Sequence, residues 1–100
     1  MNKMDGLIVK EPFATNLVNG TKQFEFRRTK IPKNKIGVPV LILTPASDGC
    51  KVMGEATFFP TKSDDWIWRC TDPTSYIGSE MHYKSKNGCV IWINNVEILS

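Results

Sequence analysis

Chain breakers set the scale of anything this sequence can build. Seven glycines and six prolines are scattered over one hundred residues, and the stretches between them are short. One near the start reads clearly as a helix. Pro12 stands where its missing N–H goes unused, at the start of a helical turn. Phe13 with Leu17, and Ala14 with Val18, are pairs four apart that make one apolar face. Gly20 then accepts a left-handed backbone and stops the helix. The predicted helix spans residues 12–19, two turns that need packing to persist.

Elsewhere the pattern favours strands. Residues 7–9 read as a first strand. Residues 22–28 change to period two, with Phe24 and Phe26 on one side, expected to face the core, and Gln23, Glu25 and Arg27 on the other. Residues 38–44 are nearly continuously apolar, the mark of a strand covered on both faces. Residues 51–59, 66–69 and 89–99 complete the strand series. Asp72-Pro73 resembles a helix cap followed by a first helical residue, so a short helix is expected within residues 73–84. The expected fold class is α+β: a small, mixed, mostly antiparallel β-barrel-like sheet flanked by short helices.

One hundred residues suffice for a single domain, residues 1–100, around one core. Hydrophobic residues make up 41% and charged residues 23%, ordinary globular usage that argues against disorder. The opening residues are polar and the run at 7–9 is too short for a signal core or a membrane span. Cys50, Cys70 and Cys89 are odd in number and far apart, so no zinc or redox pair is expected. Reduced thiols in a cytoplasmic protein, with no metal, no cofactor and no membrane partner, are the reading. His82 stands alone and reads as a surface or packing residue.

Net charge is only +3, but its distribution is uneven. Lys22, Arg27, Arg28, Lys30, Lys33 and Lys35 place six of the thirteen basic residues within fourteen positions, opposed only by Glu25. Such an edge suits phosphate or serves solubility. Arg28 shares the parity of the phenylalanines and can snorkel to water at the strand end.

Directly after the short helix the chain reads G-x-K-x-x-E-x-R, with Gly20, Lys22, Glu25 and Arg27 in the named places. Followed by "VPVLILTP", "KVMGEATF" and "VIWINNVEIL", this unit resembles the ASCH domain, a family with the PUA-like fold, over about residues 7–99. The resemblance implies a cleft beside the first helix lined by the motif residues. It also implies a binding module for single-stranded RNA or a modified nucleoside or nucleotide. In such a cleft Lys22 offers a compact charge, and Arg27 a planar fork for a phosphate or a base edge. Glu25 can accept from an exocyclic amine or orient Arg27 as its ion-pair partner. Trp66, Trp68 and Tyr76 are candidates to stack a base, with core or rim packing as the competing role. Trp92 reads as core. For Lys22, Glu25 and Arg27 the competing role is an internal ion-pair network.

Some ASCH-type proteins of this size are amidohydrolases acting on acetylated cytidine, and others are proposed ribonucleases. On that alternative Lys22, Glu25 and Glu55 would be catalytic, but Glu25 stands where the amidohydrolase motif has a threonine. Thr21 lies on the other side of the lysine. A protein-interaction module in transcription or translation regulation is the third class, since some family members occur in transcription coactivators.

Overall fold

A computed structural model describes residues 3–86 and 91–99. Eight strands, one α-helix and two 3-10 turns follow one another along these residues. Strand β1 is Gly6–Ile8, helix α1 is Phe13–Val18, and β2 is Phe24–Phe26. Then come β3 (Val40–Leu43), β4 (Val52–Pro60) and β5 (Ile67–Ser75). The remaining strands, β6 (His82–Tyr83), β7 (Trp92–Ile93) and β8 (Ile98–Leu99), have two residues each.

Six strands form one mixed sheet in the order β2-β5-β4-β3-β1-β7, and β6 pairs with β8 in a separate ribbon. Among the strands of the described residues only β1 and β3 pair in parallel, and an isolated parallel bridge joins Ile36 to Phe58; the other strand pairs are antiparallel. The sheet does not close into a barrel: β2 and β7 are its two edges.

Strand β3 is buried on both faces, as its unbroken apolar run requires. Val40 and Ile42 belong to a core with Leu17 and Val18 of α1, Phe58 of β4 and Trp68 of β5. Leu41 and Leu43 point the other way, into a second cluster with Val52, Tyr83, Ile93 and Val96. Helix α1 is one residue shorter at each end than the expected 12–19, and its face is narrower. Ala14, Leu17 and Val18 are buried, while Phe13 is 44% exposed. The carboxylate of Glu11 accepts from both the backbone N–H and the hydroxyl of Thr15, which secures the first turn in place of a side-chain cap at Pro12.

Three expectations about strands and helices are corrected. Phe24 and Phe26 do not face the core; they are 40% and 65% exposed, and Glu25 is the buried residue of β2. Its cross-strand partner is Trp68, whose indole already fills the interior on that face. No helix forms in residues 73–84. Strand β5 instead continues through Asp72 and Pro73, which together oppose the single residue Ala56. Asp72 takes φ 50°, a bulge that accommodates a proline within a strand. The strand expected over residues 89–99 is divided into β7 and β8 by a bend at Asn95, φ 54°; Cys89 and Val90 lie outside the described residues.

Lys35, expected on the basic edge, is 5% exposed. Its ammonium lies 3.0 Å from both Asp5 Oδ2 and Asn94 Oδ1, and 5.3 Å from the Trp92 ring centroid. Asp5 also accepts from the Asn95 N–H. Burial alone would raise the Asp5 carboxyl, but that N–H and the Lys35 charge outweigh it, so its affinity for a proton falls below the ordinary 3.8. The folded carboxyl therefore holds its proton less tightly than the unfolded one. The pair's contribution is complete above about pH 3.8 and is lost as pH falls through the lower folded value.

Two stability outcomes follow. Replacing Asp5 by Ala strands the Lys35 ammonium and should cost about 2 kcal/mol at pH 7, with the gap to the parent protein narrowing below pH 4 in urea titrations. At Gly54 an added Cβ would collide with the Thr74 carbonyl and lie 2.9 Å from Val18 of α1. Gly54→Ala should therefore lower the unfolding free energy by roughly 1–3 kcal/mol, whereas Gly78→Ala, with open space around it, should meet no clash and bear only the backbone strain of its φ of 103°.

Candidate functional site

Between α1 and the edge strand β2 lies a cavity of about 510 Å³. The turn that builds it starts at Gly20, φ 83°. There the Thr21 N–H donates to Asn19 Oδ1 and the Lys22 N–H to the Asn16 carbonyl, so the chain doubles back over the helix end. Gly20 does not line the cavity but aims Lys22 into it. Lys22, Glu25 and Arg27 all contribute to the wall, together with Ile8, Val9 and Lys10 from the end of β1. The three motif side chains thus share one hollow.

Glu25 is the centre of the charged group. Arg27 Nε donates to Glu25 Oε2 at 2.7 Å, and Lys22 Nζ stands 3.6 Å from Glu25 Oε1. Lys22 also donates to the carbonyl of Phe24. The Arg27 Nη2 reaches across to the Ile8 carbonyl at 2.8 Å, and its guanidinium carbon lies 6.0 Å from the Trp68 ring centroid. A carboxylate only 8% exposed is tolerable because two cations, each about a fifth exposed or less, compensate it.

None of the three aromatic residues considered for stacking, Trp66, Trp68 and Tyr76, lines this cavity. Trp68 is fully buried, its Nε1–H donating to the Thr29 carbonyl and its ring stacked on Trp92 at 6.0 Å. It serves as a floor under Arg27. Trp66 is 55% exposed but does not line the cavity. Tyr76 lines a different cavity of about 430 Å³, with Met53, Met81 and His82. There the Tyr76 hydroxyl titrates above its ordinary value, through burial and then through its hydrogen bond to Glu55 and that residue's charge.

The aromatics at the motif cavity are Phe13 and Phe26. Their ring centroids lie 5.8 and 4.9 Å from the Lys22 ammonium. The signal for them was chemical. A glutamate with a lysine three before it and an arginine two after it forms a compensated set that can turn inward, and this sends its phenylalanine neighbours outward.

Glu55 is absent from the cavity wall, so the structure does not bring the lysine and glutamate of the amidohydrolase arrangement together there. Cys70, buried beside β2, is pushed up to about 11 by burial and by the Glu25 charge, against a smaller lowering by Lys22. It is a thiol at neutral pH rather than a nucleophile. His82 is exposed, with Nδ1 2.9 Å from the Gly49 carbonyl oxygen. Cys50 and Cys70 are free. Among the described residues no cluster of three metal-binding side chains occurs, and no helix is long and apolar enough to cross a membrane.

The basic edge is largely compensated as well. Besides the Glu25 pairs and the buried Lys35, Lys30 pairs with Asp65 at 3.3 Å on the open surface. No family model matches the chain, and no curated protein matches it.

Removing the central carboxylate should expose the tension it relieves. Glu25→Ala leaves two partly buried cations facing one another and should cost about 2 kcal/mol in chemical denaturation. In Glu25→Ala/Lys22→Met the loss should be smaller than in Glu25→Ala alone.

Proposed function

We propose that this chain is an ASCH-type, PUA-like module that binds single-stranded RNA or a nucleotide in the cavity beside α1. One observation carries the reading: Lys22, Glu25 and Arg27 wall a hollow of about 510 Å³ that also presents the rings of Phe13 and Phe26. That volume lies within the range of small-ligand sites. Cations that hold phosphate next to ring faces that hold bases are what single-strand recognition requires. The mixed sheet, with a short helix after its first strand and the motif immediately after that helix, is in keeping with the PUA-like architecture. The two free thiols suit a reducing, cytoplasmic setting.

Within this site Lys22 and Arg27 meet phosphate or a base edge, and Glu25 holds both in place. Phe26, the more exposed ring, stacks. The placement of Glu55 favours binding over amidohydrolysis, so acetylated cytidine should pass through unchanged.

Fluorescence titration with single-stranded oligoribonucleotides tests the reading. Binding should weaken as salt rises. Lys22→Ala and Phe26→Ala should each weaken it about tenfold or more, with circular dichroism reporting an intact fold. Absence of binding in low salt, or affinity indifferent to both substitutions, would remove the proposal.

A further inference from the structure

The cavity wall carries three cations, Lys10, Lys22 and Arg27, against the single carboxylate of Glu25. Two positive charges are left over in a hollow of about 510 Å³. Of the other basic-edge residues, Lys30 is paired with Asp65 and Lys35 is buried against Asp5, while Arg28 and Lys33 are exposed but do not line the hollow. The surplus charge of the hollow is therefore gathered at one point, beside Phe13 and Phe26.

An internal phosphodiester brings one negative charge to such a point, whereas a phosphate monoester brings −1.5 to −2 near neutral pH, because its second proton leaves near pH 6. From this match of charge, together with the adjacent ring faces, we propose that the cavity recognises a base bearing a terminal phosphate monoester. Two sources share that chemistry, a free nucleoside monophosphate and the phosphorylated end of a strand. The inference rests on the proposed nucleotide-binding function and specifies which phosphate the site selects.

Lys10 is the residue to probe. It is exposed and its side chain makes no hydrogen bond or ion pair among the described residues, so replacing it removes no contact of the Glu25 group. The experiment compares a nucleoside monophosphate, a 5′-phosphorylated pentaribonucleotide and the same pentamer with a 5′-hydroxyl, by calorimetric or fluorescence titration at pH 7.5. The phosphorylated pentamer should bind at least tenfold more tightly than the hydroxyl form. That preference should shrink at pH 5.5, where the monoester is mostly a monoanion, and Lys10→Glu should abolish it.

A monophosphate binding within about threefold of the phosphorylated pentamer would identify the free nucleotide as the source. Markedly tighter binding of the phosphorylated pentamer would identify the strand end. Either result supports the proposal. Equal binding of the two pentamers overturns it while leaving nucleotide binding intact, and failure of all three ligands to bind overturns both.

Discussion

The charge group centred on Glu25 is the constraint from which the site follows. The six-stranded sheet ends at β2 without meeting β1 in a ladder. In place of backbone pairing, one guanidinium crosses the gap: Arg27 holds Glu25 on its own strand and the Ile8 carbonyl on β1. A side chain used as the fastener leaves room that a strand would have filled. The cavity is that room. The charged groups on its wall and its position beside α1 both result from fastening a sheet edge with charge rather than with a backbone ladder.

The same arrangement accounts for the inverted face of β2. Burying a lone carboxylate is costly, but one paired at 2.7 Å and flanked by a second cation can lie against Trp68. Once Glu25 turns inward, alternation forces Phe24 and Phe26 outward. Rings exposed on a surface are ordinary. Here one of them, with Phe13, borders the hollow that the ion pairs maintain, so hydrophobic and ionic features of the site have a common origin.

Much of the scaffold was legible in the residues. The two-turn helix, its glycine stop and the doubly buried β3 follow from local rules that tertiary packing did not override. Lys22, Glu25 and Arg27, close in sequence, do wall one hollow, while Gly20 stands outside it. The face of β2 was not legible, because periodicity says which residues share a side but not which side is inner. At Asp72-Pro73 the local signals suited a helix start as well as a bulge, and pairing with β4 decided it. The division of the last strand depended on a left-handed backbone at Asn95, a residue type that tolerates this conformation without announcing it. Lys35 was misassigned because its partner Asp5 lies thirty positions away.

The contact between Lys22 and the Phe24 carbonyl bears on how this molecule behaves in a crowd of its own copies. Gln23 and Arg27 direct their backbone groups toward β5, so those of Phe24 point away from the sheet. An outward row of amides and carbonyls beside bare aromatic rings is a template for intermolecular sheet growth. An ammonium seated on that carbonyl, on a strand only three residues long, blocks the template where it is most vulnerable. A lysine that contributes charge to the hollow thereby also blunts this edge of the sheet.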